Sequence, residues 1–132
     1  MYRKILVPID GSGNANKALD VASHLARGFS SRLYLLNVTQ GTGNSVDSER
    51  QTDAAMHIIQ TSLETTDTSD VDTEILIREG EPADIIEREA QRLDVDAIVM
   101  GYRGLGKVDD MMGGSVSRAT NQHAVCRVIT VR

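Results

Sequence analysis

Short apolar runs alternate with longer amphipathic segments along this chain. The runs hold consecutive apolar residues rather than alternating ones, which is typical of strands buried on both faces of a sheet. Pro8, which has no N–H to donate, fits the end of the first run better than its centre. We therefore predict five strands, at positions 4–10, 32–38, 73–78, 97–100 and 128–131.

The segments between these runs carry apolar residues every three or four positions, which predicts helices. In the first of them, Ser12 or Asn14 suits the N-cap, and Gly28 is expected to close the helix. Pro82 suits the first position of a later helix, because its fixed φ is already helical. The predicted helices occupy about 12–28, 49–63, 82–93 and 114–122.

The resulting order, βαβαβαβαβ, predicts an α/β fold. Because crossovers between parallel strands are right-handed, only a few arrangements fit. We expect a single doubly wound domain over residues 1–132, with helices on both faces of the sheet. The sheet is expected to be five-stranded and mainly parallel, in the order 3-2-1-4-5.

Composition narrows the possible partners. The 132 residues carry a formal net charge of −5, which argues against a nucleic-acid partner, since such a partner favours a basic surface. Cys126 is the single cysteine, so no internal disulfide can form, as suits a reducing cytoplasm. No apolar run approaches the ~18 residues of a membrane helix. We therefore expect a cytoplasmic protein without a membrane partner.

The residues suited to ligand chemistry follow the first and fourth predicted strands. In a doubly wound sheet, ligands bind beyond the carboxyl ends of the strands where the strand order reverses, which here falls between strands one and four. Asp10 follows the first strand. The fourth is followed by a spaced set of small residues: Gly101, Gly104, Gly114 and Ser115. Glycines admit a ligand close to backbone N–H groups, and the N-terminus of the next helix adds donors, so the pattern indicates a phosphate site in a nucleotide-binding domain.

These segments resemble the universal stress protein family. The resemblance rests on ILVPIDGS at 5–12 and on the glycine spacing from Gly101 to Gly114. Segments 80–86 and 94–101 also match sequence patterns of the family. It covers essentially the whole chain. The spaced glycine motif is similar to that of the family's ATP-binding branch, so the resemblance implies an ATP site.

The resemblance implies a role for each matching residue. Asp10 would hydrogen-bond the ribose hydroxyls, and Pro8 and Ile9 would line the base. Val38 would meet adenine through its backbone, and Met100 belongs to the same expected site. The phosphates would be surrounded by Gly101, Arg103, Gly104, Gly114, Ser115, Val116 and Ser117. A carboxylate suits vicinal hydroxyls, whereas N–H groups and Ser hydroxyls suit phosphate oxygens, which agrees with this division.

Three features depart from the family's pattern. Asp109 and Asp110 lie within the expected phosphate loop, where their charge repels a triphosphate unless they point outward or help to hold Mg²⁺. Gly113 stands where the family usually has a large aliphatic residue, which predicts a looser loop. Arg127 replaces the usual proline before the last strand.

Three functions are open at this point. The favoured one is an ATP-binding regulatory protein. A slow ATPase or phosphotransferase on the same site is the second, but no general base or water-positioning residue is evident, and no catalytic or metal-binding residue is assigned. The third is a nucleotide-free interaction module, which the intact glycine motif argues against.

The last predicted strand bears on assembly. In the expected order it lies at the sheet edge, where unpaired N–H and C=O groups invite another strand. Relatives in the universal stress family commonly dimerise through this strand, so the resemblance implies a homodimer. A further protein partner is expected, but the sequence does not identify it.

Overall fold

A computed structural model describes residues 2–41, 45–102 and 126–132, with Ser45 described by its backbone alone. The elements in chain order are β1 Lys4–Pro8, α1 Gly13–Phe29, β2 Arg32–Thr39, α2 Ser45–Thr65, β3 Asp72–Glu79, α3 Pro82–Leu93, β4 Ala97–Gly101 and β5 Arg127–Val131. The helix predicted at 114–122 lies outside the described residues.

The five strands pair in parallel, in the order β3-β2-β1-β4-β5. This confirms the predicted α/β fold and its strand order. β1 is the central strand, because Ile5 pairs both with Leu33 of β2 and with Ala97 of β4. The order therefore reverses between β1 and β4, as predicted.

Aliphatic side chains fill the layers on both faces of the sheet. On one face, Ile5 belongs to a buried cluster with Leu19 of α1 and Ile59 of α2. On the other face, Leu6 belongs to a buried cluster with Ile86 of α3. Because successive residues of β1 enter different layers, each of them must be apolar, which explains the continuous apolar run.

The end of β1 follows from the missing N–H of Pro8. The N–H of Ile9 donates to the carbonyl oxygen of Leu36 in β2 at 2.8 Å, so the backbone of the preceding residue, Pro8, faces β4. Pro8 has nothing to donate on that side, and the pairing of β1 with β4 stops at Leu6 and Ile98. The two central strands therefore part at their carboxyl ends.

α1 continues through Gly28, so the expectation that this glycine closes the helix is wrong. The ring of Phe29 meets the ring of Tyr2 edge-on, with centroids 5.3 Å apart, and this contact favours extension of the helix past the glycine. The C-cap is Ser30, which has a left-handed φ of 54° and donates its N–H to the carbonyl oxygen of Ala26.

α2 begins at Ser45, earlier than the start predicted near position 49. Its first turns are partly or fully exposed, and the first buried apolar side chain is Ala55. Gln51 connects this part of the helix to the chain after β2, because its Oε1 accepts from the N–H of Gly41 at 3.0 Å. Apolar periodicity reveals only the packed part of the helix, so the exposed turns gave no signal.

α3 begins at Pro82, as predicted, and a buried carboxylate ties it to the sheet. The side chain of Glu89 is 5% exposed and accepts hydrogen bonds from Nε of Arg78 in β3 and from Nε of Arg92 in α3. Burial opposes ionisation of Glu89, but the hydrogen bonds and charges of the two arginines outweigh it and hold its pKa below the ordinary value.

We predict that Glu89→Gln lowers the free energy of unfolding by about 1–3 kcal/mol near neutral pH, because the arginines lose their charged acceptor. A lowered pKa in the folded state means that the stabilisation is present above the unfolded pKa of 4.5 and is lost as pH falls through the folded pKa. Urea unfolding at about pH 7 and about pH 3 measures this effect. The difference in free energy of unfolding between the variant and the original chain should be smaller at the lower pH. Glu87→Gln on the same helix is the control, and an equal loss there would contradict the assignment.

Gly101, the last residue of β4, lies against the start of α1. A Cβ atom at this position would be 2.7 Å from the carbonyl carbon of Asn14 and 2.9 Å from the backbone nitrogen of Ala15. Backbone atoms cannot give way as the end of a side chain can. The contact therefore requires glycine, and it holds the end of β4 beside the first turn of the helix.

We predict that Gly101→Ala lowers the free energy of unfolding by about 1–3 kcal/mol, because the added methyl group must displace the backbone of α1. Gly28→Ala is the matched control: a Cβ there meets nothing within 4 Å, and alanine in the last turn of the helix should leave stability unchanged or raise it by up to about 1 kcal/mol. Thermal or urea unfolding of both variants decides the point, and an unchanged stability of Gly101→Ala would contradict the close contact.

Candidate functional site

A cleft opens at the carboxyl edge of the sheet, where β1 and β4 part. The space between its walls, open solvent at the mouth included, is about 460 Å³. It is lined by Pro8, Ile9, Asp10, Ala15, Leu36, Asn37, Val38, Pro82, Ile86, Met100 and Gly101. The cleft therefore lies at the position that the strand order predicts for a ligand.

The walls of the cleft are largely apolar. Leu36 and Met100, from the strands on either side of β1, are almost fully buried, and α3 contributes Ile86 and Pro82. Leu36, Ile86 and Met100 also belong to one core cluster, so these walls are continuous with the hydrophobic layer beneath α3. Such walls suit a flat aromatic group better than a charged one.

Asp10 stands at the exposed rim of the cleft, in a turn that fixes its carboxylate. Its Oδ1 accepts from the N–H of Ser12 at 2.9 Å, and Gly11 between them has a left-handed φ of 89°. Ser12 is the N-cap of α1, as predicted, with its Oγ accepting from the N–H of Ala15 at 3.1 Å. None of the ion pairs among residues 2–41, 45–102 and 126–132 involves Asp10.

The main chain of Val38 is directed toward the cleft. The carbonyl oxygen of Thr39 accepts from the N–H of Gly80, on the β3 side of β2, at 2.9 Å. Successive residues of a strand direct their backbone groups to opposite sides, so the N–H and C=O of Val38 point to the β1 side. β2 is paired with β1 only as far as Pro8 and Leu36. Val38 thus presents a donor and an acceptor beyond the last pair of residues.

The structure brings six of the predicted site residues to this one cleft: Pro8, Ile9, Asp10, Val38, Met100 and Gly101. The remaining predicted residues, Arg103, Gly104, Gly114, Ser115, Val116 and Ser117, lie outside the described part of the chain, as do Asp109, Asp110 and Gly113. The described contacts therefore concern the part of the site expected to hold a base and a sugar.

Sequence reasoning missed five residues that line the cleft: Ala15, Leu36, Asn37, Pro82 and Ile86. Four of them are apolar residues that serve the core or a helix start, and nothing in their pattern marks a site. Asn37 did carry a signal, because it is a polar residue directly after a buried apolar run. It is 7% exposed, and its Nδ2 donates to the carbonyl oxygen of Ile9 at 2.7 Å.

Other reactive groups in the described residues lie apart from the cleft. Burial raises the pKa of the Cys126 thiol to about 11, and the charge of Asp96 adds to the shift, so this thiol is protonated near neutral pH. Within the described ranges, no group of three or more His, Cys, Asp or Glu side chains is placed to hold a metal ion. No helix in those ranges is long and apolar enough to cross a membrane.

Comparison with known proteins gives a consistent assignment. The model of the universal stress protein family matches residues 1–132. Universal stress protein YxiE of Bacillus subtilis is 34% identical over 148 residues, and the match covers all of both chains.

Two solved structures share the fold along nearly the whole chain. The universal stress protein of Archaeoglobus fulgidus in complex with dAMP is 27% identical, with a TM-score of 0.59 over 99% of this chain and 98% of that one. A family protein of Arabidopsis thaliana with AMP bound is 25% identical, with a TM-score of 0.64 over 98% and 90% of the two chains.

Proposed function

Since this chain belongs to the universal stress protein family, we propose that it binds an adenine nucleotide in the cleft at the ends of β1 and β4. We propose ATP as the specific ligand. The observation that carries the proposal is a single cleft that joins apolar walls, a strand backbone and the carboxylate of Asp10. The bound dAMP and AMP of the two structural relatives support the same ligand class. The protein would have a regulatory role, because binding of the nucleotide would change its conformation or its binding to another protein.

The adenine base would occupy the apolar part of the cleft. Pro8, Ile86 and Met100 offer apolar surface for its faces. The N–H and C=O of Val38 would pair with its edge, because adenine presents an acceptor and a donor side by side. Specificity for adenine would then come from a backbone position, and the side chain of Val38 would add only packing.

The ribose and phosphates would extend from the base toward α1. Asp10 would accept hydrogen bonds from the ribose hydroxyls, since a carboxylate is an acceptor for both. Gly101, beside the first turn of α1, opens the segment whose Gly104, Gly114 and Ser115 are expected to hold the phosphates. Mg²⁺ would enter with those phosphates and would neutralise part of their charge, and Asp109 and Asp110 would either help to hold it or point outward.

We favour binding over turnover. Among the described residues that line the cleft, Asp10 is the only ionisable one, and its proposed partner is the sugar rather than a reacting phosphate. A phosphoryl-transfer enzyme needs a residue that orients the nucleophile close to the terminal phosphate. The slow ATPase therefore stays the second candidate, and no described residue favours it.

We also propose that the protein forms a homodimer through β5 and that it acts in the cytoplasm. A separate protein partner would bind the nucleotide-bound form. β5 is paired with β4 on one side and is the last strand of the sheet. Ile129 and Val131 are only partly buried. A second copy that pairs along this edge would cover them and satisfy the outward backbone groups.

We predict that Asp10→Ala weakens ATP binding by about 10- to 100-fold and leaves the binding of inorganic triphosphate unchanged, because triphosphate has no ribose. Asp10→Asn keeps the acceptor for Ser12 and removes the charge, so it separates the loss of charge from the loss of the turn. Asp53→Asn, an exposed change on α2, is the control. Calorimetry with both ligands measures the effect, and equal losses for both would place Asp10 away from the sugar.

We predict that Thr130→Pro converts the dimer to a folded monomer. The N–H of Arg127 donates to the backbone carbonyl oxygen of Asp96, on the β4 side. Because backbone groups alternate along a strand, the N–H of Ile129 also faces β4, whereas that of Thr130 faces the free edge. Proline at 130 thus removes only an outward donor, whereas Ile129→Pro breaks the β4 pairing and should destabilise the fold. Light scattering gives the mass and circular dichroism the fold, and a Thr130→Pro variant that keeps the dimer mass would contradict pairing through β5.

A further inference from the structure

We propose that Asn37 is a positioning residue of the nucleotide cleft, which holds Asp10 in place through the backbone of Ile9. The effect on ligand binding rests on the proposed function, whereas the effect on the position of Asp10 rests on the described contacts alone. Asn37 need not touch the ligand with its side chain, because it acts through a peptide group of the neighbouring strand.

The contacts of Ile9 carry the proposal. Its N–H donates to the carbonyl oxygen of Leu36 at 2.8 Å, which is the last backbone bond of this kind between β1 and β2 in the described chain. Its carbonyl oxygen, just beyond the end of β1, accepts from Nδ2 of Asn37 at 2.7 Å. A side-chain amide thus fastens Ile9 to β2 past the last pair of residues.

The bond to Ile9 fixes the main chain that leads into Asp10. The C=O of Ile9 and the N–H of Asp10 belong to one planar peptide group, so fixing the first also fixes the second. On its other side, Asp10 is fixed by the hydrogen bond from the N–H of Ser12 to its Oδ1. Asp10 is therefore held at two points, by its preceding peptide group bonded to β2 and by its carboxylate bonded at the start of α1.

Burial shows that packing alone does not explain an amide here. Asn37 is 7% exposed and follows Leu35 and Leu36, which are fully buried. A polar side chain in such a place costs free energy unless it is hydrogen-bonded, and an aliphatic residue would pack without that cost. The amide contributes what an aliphatic residue lacks, namely a donor for a carbonyl that β2 does not otherwise pair.

The first test compares two ligands that differ only at the sugar hydroxyls, AMP and 2′,3′-dideoxy-AMP. We expect Asn37→Leu to weaken AMP about tenfold and to leave the dideoxy compound within about twofold. Asn37→His keeps a ring N–H donor at the same distance along the side chain, and it should restore AMP binding to within about threefold. Equal weakening of both ligands by Asn37→Leu would overturn the proposal, since it would indicate a general packing role.

A double variant tests whether Asn37 acts through Asp10. If it does, Asn37→Leu should cause no further loss of AMP affinity in an Asp10→Ala background. Fully additive losses would overturn the proposal. Ser23→Ala is the matched control, because Ser23 is another buried polar side chain, it donates its hydroxyl to the carbonyl oxygen of Leu19, and it lies far along α1 from the cleft. It should change stability without changing the ratio of the two ligand affinities.

A measurement without nucleotide separates this proposal from the proposed function. Amide hydrogen exchange of Ser12, followed by nuclear magnetic resonance, reports the bond to Asp10 in the free protein. Asn37→Leu should accelerate that exchange about tenfold, and Ser23→Ala should not; unchanged exchange in Asn37→Leu would overturn the proposal. If the original chain bound neither ligand, the proposed function would fail, while Ser12 exchange would still decide the role of Asn37. Should Asn37→Leu not fold, Asn37→Ala carries the same measurements.

Discussion

Pro8 has no N–H group on the side that faces β4, and the cleft depends on this absence. The central strand keeps its bond to β2 through Ile9 but cannot extend its pairing with β4 beyond Leu6 and Ile98. The sheet therefore opens at one defined point, between the strands where its order reverses. Apolar walls, the rim carboxylate of Asp10 and the backbone of Val38 all meet at this opening.

Much of the fold was predictable because the sequence of each element agrees with the burial that the fold gives it. Each central strand is buried on both faces, so its sequence is continuously apolar, and Pro82 marks the start of α3. The two errors have different causes, a tertiary contact in one helix and a missing apolar signal in the other. Gly28 does not end α1, because Phe29 and Tyr2 meet beyond it. The exposed first turns of α2 have no apolar face, so periodicity could not reveal them.

The candidate site was predictable only in part, for a similar reason. Asp10 and Gly101 are chemically distinctive and stand directly after strands, and the fold brings both to one cleft. Ile86 looks like any other core residue of a helix, because the same side chain serves the core and the cleft wall. The role of Asn37 depends on which carbonyl lies opposite it, and sequence spacing does not contain that information.

The contact between Gly101 and the first turn of α1 makes the two walls of the cleft different in kind. A Cβ atom at Gly101 would lie less than 3 Å from the backbone of Asn14 and Ala15, so the end of β4 and the start of α1 meet backbone to backbone. The opposite wall, formed by Pro82 and Ile86, is a helix face in ordinary side-chain contact. One wall of the cleft thus rests on a backbone contact that no side-chain rotation can relax, whereas the other is formed by side chains of a helix.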